Sequence, residues 1–148
     1  MKSAIALLLI LLVAALHAAD VEYFDEGPQA GKGYPFSESV RVGDILFLSG
    51  TLGVGANDEL PEGGIVPESA QLMKNIRAAL ERRGLGMSNV VKCTVFLADM
   101  SEWSAMNEVY RTFFENPPAR SALGASGLAL DARVEIECIA VTGDAEKA

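Results

Sequence analysis

Histidine is almost missing from this sequence, because the 148 residues contain only one, His17. That residue lies in an N-terminal segment with the features of a signal peptide, so the mature chain would carry no imidazole. Without imidazole, Ser-His-Asp and Cys-His nucleophile systems and histidine-ligated zinc sites are excluded. Acid–base chemistry must then use a carboxylate, lysine, tyrosine, cysteine or backbone group.

Positive charge is also scarce. Twelve Lys and Arg residues face 20 Asp and Glu residues, and loss of Lys2 with the signal peptide would change the net charge from −8 to −9. No run of basic residues interrupts this acidity. Because phosphate contacts supply most of the affinity for nucleic acids, the composition predicts no nucleic-acid partner. The same charge disfavours stable association with an anionic membrane surface after signal cleavage.

The long hydrophobic run is confined to the N-terminus. Lys2 precedes an apolar stretch over residues 4–16, and Ala18-Ala19 supplies the small residues of a cleavage site. This stretch is shorter than the roughly 20 residues that span a bilayer. The pattern predicts a secretory signal peptide over residues 1–19 and one domain over residues 20–148. The expected location is periplasmic or secreted, and an uncleaved anchor is the alternative.

Cysteine is limited to Cys93 and Cys138, each within an apolar strand pattern. An even count in an oxidising compartment allows a disulfide. Positions inside strands seldom satisfy the geometry of a bridge, so two buried free thiols are the favoured interpretation. Neither spacing indicates a metal site.

Hydrophobic periodicity predicts two helices and four strands. The segments are a hairpin over 39–49, a helix over 67–83, a strand over 89–98, a helix over 101–115 and a strand over 134–141. This order predicts an α+β fold with both helices on one face of a sheet. Two helices cover one face only, so the uncovered face is expected to mediate self-association.

The second predicted helix carries an apolar stripe that includes Trp103 and Tyr110. Such a stripe is more often part of the core than a cofactor site, and it is interpreted here as packing. Ser101 is the predicted N-cap. Asn107 lies beside the stripe and is expected to be half-buried.

The segment from Pro117 to Val141 combines a stiff entry with a charged strand. Pro117-Pro118 presents Arg120 and Ser121 in a turn, while the strand over 134–141 places Glu135 and Glu137 on one face of an otherwise apolar run. An antiparallel sheet with one wet face explains these charges, and this simpler reading is favoured from spacing alone. The alternative places Arg120 near Glu135 at the mouth of a pocket.

Four segments together resemble the RidA (YjgF) family of enamine and imine deaminases: VRVGDILFLSG, VVKCTVFLADMSEWSAMNEVY, PPARS and VEIECIAV. The resemblance spans residues 35–141, and its most specific part is the Arg-Ser pair followed by the glutamate strand. It implies a chorismate-mutase-like fold with a mixed sheet, a homotrimer, and three sites in clefts between subunits. It implies no metal and no organic cofactor.

The resemblance also implies roles for individual residues. Arg120 matches the arginine that binds the substrate carboxylate, and Glu135 matches the glutamate that positions the attacking water. Asn107 matches the asparagine of the helix. Ser49 and Gly50 match the strand-end pair that lines the pocket.

Three further positions are expected to contact substrate, and two of them depart from the family pattern. Ser121 follows the arginine as in the family. Phe36 stands in place of a tyrosine, and Ala122 stands in place of a common cysteine. The lost phenol hydroxyl is expected to affect the choice of substrate and the rate.

The implied activity is hydrolysis of 2-imino or 2-enamino acids to 2-oxo acids and ammonia. Arginine suits a carboxylate because its planar fork binds both oxygens. A neighbouring carboxylate can hold a water and accept its proton as the carbinolamine forms. The alternatives are a non-catalytic binder of small carboxylates and an RNA-cleaving activity, against which the acidic charge weighs.

Overall fold

The computed structural model of the protein describes residues 20–27 and 30–143, so the predicted signal peptide lies outside the described residues. The elements are β1 (Val21–Phe24), β2 (Ser39–Val42), β3 (Ile45–Leu52), α1 (Ile65–Glu81), β4 (Val90–Leu97), α2 (Trp103–Tyr110), β5 (Ala119–Gly124) and β6 (Val134–Val141). Within this part of the chain, neither helix has the length and apolar character needed to cross a bilayer.

The strands form one six-stranded sheet in the order β1-β2-β3-β6-β4-β5. β5 runs parallel to β4, and the other four strand pairs are antiparallel. A parallel neighbour requires a crossover connection, which α2 provides between β4 and β5. The predicted α+β fold with two helices and a mixed sheet is therefore confirmed.

The sequence signals of α1 agree with its observed limits to within two residues. Pro67 occupies the first turn, where its missing N–H costs nothing. Leu72, Met73, Ile76 and Leu80 are all 0% exposed and form the stripe that packs on the sheet. The helix ends in a hydrogen bond from Leu85 N–H to the Leu80 carbonyl at 3.0 Å. Gly84 makes this closure with φ +70°, a conformation that favours glycine.

The second helix is shorter than its periodicity predicts. Its α-helical part is confined to Trp103–Tyr110, with single 3₁₀ turns over Met100–Glu102 and Arg111–Phe113. The prediction of Ser101 as the N-cap is wrong. The capping group is the Asp99 carboxylate, which accepts a hydrogen bond from Ser101 N–H at 2.8 Å.

Two edge strands, β1 and β5, are absent from the sequence-based prediction. Each is short, and β5 directly follows Pro117-Pro118, a signal that indicates a turn more strongly than a strand. Arg120 and Ser121 therefore lie in a strand and not in a turn. The difference matters because alternation along a strand fixes which face each side chain occupies.

The two faces of the sheet differ as predicted. On β6, Val134, Ile136, Cys138 and Ala140 are between 0% and 2% exposed beneath the helices. Glu135 and Glu137 occupy the other face, called here the open face, with exposed apolar side chains from neighbouring strands. These apolar residues are Val21, Tyr23, Ile45, Phe47 and Leu123.

The prediction of free thiols is wrong, because Cys93 and Cys138 form a disulfide. The two residues are directly opposite in the antiparallel pairing of β4 with β6, and both point into the core. Directly opposed residues on the same face have their Cβ atoms close together, and here the Cα atoms are 4.1 Å apart. The register that brings them together cannot be read from two separate strands.

The disulfide is expected to contribute about 2–4 kcal/mol to the free energy of unfolding, because it closes a loop between residues 45 positions apart. Guanidinium unfolding of the oxidised protein and of the protein in reductant measures this difference. The Cys93→Ala/Cys138→Ala variant should resemble the reduced form, with a small further loss from the missing sulfur atoms. Two reactive thiols in the unfolded protein without reductant would contradict the assignment.

Candidate active site

Arg120 projects from the edge strand β5 toward the helix layer. It pairs in register with the buried Cys93, so its side chain shares the covered side of the sheet. The guanidinium carbon lies 4.6 Å from the centre of the Tyr110 ring and 5.9 Å from that of Trp103, both on α2. No acidic side chain among the described residues forms an ion pair with Arg120.

This lack of an acidic partner sets Arg120 apart in an acidic protein. Five other arginines form ion pairs with glutamates, namely Arg41, Arg82, Arg83, Arg111 and Arg133. The remaining one, Arg77, lies over the Phe113 ring and is exposed. Arg120 is half-buried, so it presents an uncompensated positive charge in a restricted space, which suits a small anion.

The helix beneath Arg120 carries polar atoms that lack partners. Asn107 lies one turn from both Trp103 and Tyr110, on the same helix face, and is half-buried as predicted. Asn107 Oδ1 and Tyr110 Oη are buried and have no hydrogen-bond partner in the described part of the protein. Burial raises the pKa of Tyr110 to about 12, although the charge of Arg120 acts in the opposite direction. The phenol therefore stays neutral and can donate a hydrogen bond.

Glu135 lies on the open face against a bulge in β3. Leu48 pairs with Cys138 and Thr51 with Ile136, so β3 has one extra residue between these pairs. The bulge brings Gly50 so close to Glu135 that a Cβ at Gly50 would be 2.0 Å from the carboxylate Oε1. Only glycine leaves room for the carboxylate in this position.

The environment of Glu135 strengthens it as a proton acceptor. Burial raises the pKa of Glu135, and the negative charge of Glu137 on the same face raises it further. A carboxylate with a raised pKa binds a proton more readily than an ordinary glutamate does. Glu135 is thus suited to take a proton from a water molecule.

Ser49 and Phe36 lie at the same end of β3 as Gly50. The Ser49 hydroxyl donates to the Ser37 carbonyl at 2.6 Å, and its N–H donates to the Glu38 carbonyl at 3.0 Å. These bonds hold the residue after Phe36 against the bulge. Phe36 is exposed and stacks on Tyr34 with 5.4 Å between ring centres.

The neighbours of Arg120 in β5 lie on alternate faces. Ala122 shares the helix side with Arg120 and packs against the core. Ser121 lies on the open face, where its hydroxyl accepts a hydrogen bond from Lys92 Nζ at 2.8 Å. The predicted substrate-contacting residues of this strand are therefore divided between the two sides of the sheet.

One chain consequently holds two separate groups of candidate residues. The arginine half-site consists of Trp103, Asn107, Tyr110, Arg120 and Ala122, and the glutamate half-site consists of Phe36, Ser49, Gly50 and Glu135. Arg120 lies on the helix side of the sheet and Glu135 on the open face, and β4 separates their strands β5 and β6. The structure does not bring Arg120 and Glu135 together within a single chain.

A cavity within the chain does not join the half-sites either. About 80 Å³ of space lies between β3 and α1, where Ser49 and Gly50 meet Asn75 and Arg82. Neither Arg120 nor Glu135 lines it. Arg82 is already neutralised there by its ion pair with Glu38, so the cavity offers no free charge for an anion.

Sequence reasoning missed Trp103 and Tyr110 as members of the site. It assigned both to core packing, and Tyr110 is indeed 4% exposed, but Trp103 is 40% exposed. The signal that could have found them is their spacing from Asn107. Residues 103, 107 and 110 share one helix face, so the prediction that Asn107 belongs to the site also indicates that Trp103 and Tyr110 lie beside it.

The chain is similar to a set of characterised proteins. It matches the family model described as Endoribonuclease L-PSP over residues 28–142. It is 41% identical over 116 residues to the mouse 2-iminobutanoate/2-iminopropanoate deaminase, covering 77% of this chain and 86% of that protein. The goat protein of the same name is 43% identical over 111 residues, which cover 74% and 81% of the two chains.

Solved structures share the fold. Escherichia coli TdcF with bound serine has a TM-score of 0.76 and 30% identity, with 82% of this chain and 100% of that chain covered. RidA from an Antarctic Psychrobacter has a TM-score of 0.70 and 31% identity, with 84% and 98% covered. The identities and coverage are sufficient to establish common family membership.

Substitution Gly50→Ala is expected to displace the Glu135 carboxylate without unfolding the protein, because the clash is with a flexible side chain. The displaced carboxylate enters solvent, and its pKa should fall toward that of an ordinary glutamate since burial is the main cause of the increase. Carboxyl NMR titration measures this pKa. Gly127→Ala is the matched control, because no atom lies within 4 Å of a Cβ built there. An unchanged Glu135 pKa in Gly50→Ala would refute the proposed contact.

Proposed function

Since this chain belongs to the RidA (YjgF) family, we propose that it hydrolyses 2-imino and 2-enamino acids to 2-oxo acids and ammonia. The observation that carries this proposal is the half-buried guanidinium of Arg120, which faces aromatic rings and has no acidic partner among the described residues. A charge held in this way is available to the carboxylate of a small acid. The deaminases at about 40% identity support the choice of reaction.

The chemistry requires orientation more than a strong nucleophile. Arg120 binds both oxygens of the substrate carboxylate and fixes the neighbouring imine carbon, which is already electrophilic. Glu135 holds a water and accepts its proton as the oxygen adds to that carbon. Glu135 returns this proton to the nitrogen and takes up the proton of the new hydroxyl as the C–N bond of the carbinolamine breaks, which releases ammonia and leaves the 2-oxo acid. Neither a metal nor an organic cofactor enters this scheme.

A shared site requires a second copy of the chain, because Arg120 and Glu135 lie on opposite faces of the sheet. The proposed assembly is a homotrimer in which Arg120 of one subunit meets Glu135 of the next, giving three equivalent clefts. The exposed apolar side chains Ile45, Phe47 and Leu123 on the open face support self-association. The ligand partner of each cleft is a small 2-imino acid.

Export is proposed from two independent features. Residues 1–19 have the pattern of a signal peptide. The disulfide between Cys93 and Cys138 is typical of a protein from an oxidising compartment. The proposed location is the periplasm or the exterior, without a stable membrane association once the signal is removed. The imines would then come from oxidation of amino acids by an oxidase or dehydrogenase.

The second candidate function is binding of a small carboxylate without catalysis. The observation that favours it is Phe36, whose ring has no hydroxyl to take part in proton transfer. An amino-acid oxidase that generates imines in the assay distinguishes the two functions, since only the deaminase accelerates formation of the 2-oxo acid. RNA cleavage, which the family description names, is disfavoured by the net charge of −8.

Substitution Arg120→Ala is expected to lower kcat/KM for imine hydrolysis at least about 100-fold, because it removes two charge-assisted hydrogen bonds to the carboxylate. The oxidase-coupled assay follows 2-oxo acid formation. Arg77→Ala is the matched control, since Arg77 also lies over an aromatic ring, at 4.8 Å, but belongs to neither half-site. The assembly of both variants should remain intact by native mass spectrometry. Wild-type rates in Arg120→Ala would rule out the assigned role.

The pH dependence follows from the charge of Glu135. Glu135 accepts a proton only when ionised, so activity should fall as the pH drops through its raised pKa. Glu137→Gln removes one cause of the increase, and the acid limb of the kcat/KM profile should move to lower pH. Glu108→Gln is the control, because Glu108 is exposed and pairs with Arg111. A shift to higher pH in Glu137→Gln, or no shift, would contradict the assignment.

A further inference from the structure

Aromatic rings hold Arg120 where an acidic side chain would be expected. The guanidinium lies 4.6 Å from the Tyr110 ring centre, within the range of a cation–π interaction. The Trp103 ring is farther away at 5.9 Å and near the limit of that range. Tyr110 is therefore the principal contact of Arg120.

The Tyr110 ring is itself fixed by its surroundings. It is 4% exposed, belongs to the core, and packs on Phe114 with 4.8 Å between ring centres. Its pKa of about 12 keeps the phenol neutral, so the contact with Arg120 is between a cation and a ring and not an ion pair. A rigid, neutral surface of this kind can orient an arginine without neutralising it.

Whether its partner is an aromatic ring or a carboxylate decides what Arg120 can bind. A glutamate partner would occupy the N–H groups in the plane of the guanidinium and cancel its charge. A ring contacts the flat face of the guanidinium and leaves the in-plane donors and the charge available. The Trp103 ring, 5.9 Å from the same group, is 40% exposed.

We infer that Tyr110 is a positioning residue for Arg120, and that its ring sets the affinity of the site for the carboxylate of a 2-imino acid. Tyr110 can act in this way only if Arg120 binds that carboxylate, so the inference rests on the proposed function. Tyr110 affects how Arg120 binds the substrate carboxylate, and this interaction contributes equally to binding of the substrate and of the transition state. The effect should therefore appear in KM and not in kcat.

The test changes the electron density of the ring while keeping its shape. Tyr110→Phe removes only the hydroxyl, and fluorinated phenylalanines at position 110 then weaken the negative face of the ring step by step. The readouts are KM and kcat for imine hydrolysis and the Kd for pyruvate, a stable 2-oxo acid. Tyr110→Leu removes the ring altogether. The same substitutions at Phe113, whose ring lies 4.8 Å from Arg77, provide a matched cation–π pair that belongs to neither half-site.

The expected results are graded. Tyr110→Phe should change KM by less than about twofold, since the ring is retained, and each fluorine should raise KM and the pyruvate Kd together. Tyr110→Leu should raise both by about 3- to 10-fold, with kcat within about twofold of wild type. The Phe113 series should alter only thermal stability.

Several outcomes would overturn the inference. The inference is wrong if fluorination of the ring at position 110 changes neither KM nor the Kd for pyruvate. It is also wrong if the Phe113 series raises KM as much as the Tyr110 series does. If Tyr110→Leu does not fold, the shape-preserving fluorinated series decides the question. If the wild type binds pyruvate through Arg120 but hydrolyses no imine, the proposed function fails and pyruvate binding alone tests Tyr110. If it neither binds nor hydrolyses, both are refuted.

Discussion

The alternation of side chains along a β-strand is the constraint on which the account of this protein depends. Helices α1 and α2 cover one face of the sheet, and Arg120 lies on that side while Glu135 lies on the other. No rotation of either side chain can exchange the faces of two strands in a paired sheet. A reaction that uses both groups must therefore take one from each of two chains.

Arg120 and Glu135 differ in their electrostatic surroundings from most other charged residues of the described chain. Five arginines form ion pairs with glutamates. Arg120 is excluded from these pairs, and Glu135 has a pKa raised by burial and by Glu137. One group retains a full positive charge and the other an increased affinity for protons. The positive charge can bind the carboxylate of a small acid, and the carboxylate of Glu135 can accept a proton from water.

Much of this arrangement can be predicted from local sequence, and the exceptions have physical causes. The strand over 134–141 and its two faces are predicted correctly, because alternation is visible within a single segment. The disulfide and strand β5 are not, since both depend on the register between segments far apart in the chain. The face occupied by Arg120 depends on β5, so local sequence does not predict the separation of Arg120 from Glu135 within one chain, and only the family resemblance implied a site between subunits. Trp103 and Tyr110 were missed because a ring that packs in a core and a ring that orients an arginine have the same helical spacing.

Mixing two inactive variants tests the shared site most directly. Arg120→Ala retains the glutamate half-site, and Glu135→Gln retains the arginine half-site. Random assembly of equal amounts into the proposed trimers should leave about a quarter of the Arg120–Glu135 pairs intact and restore about a quarter of the wild-type deaminase activity. Native mass spectrometry verifies that mixed trimers have formed. Mixed trimers without activity above that of either parent would contradict a site built from two subunits.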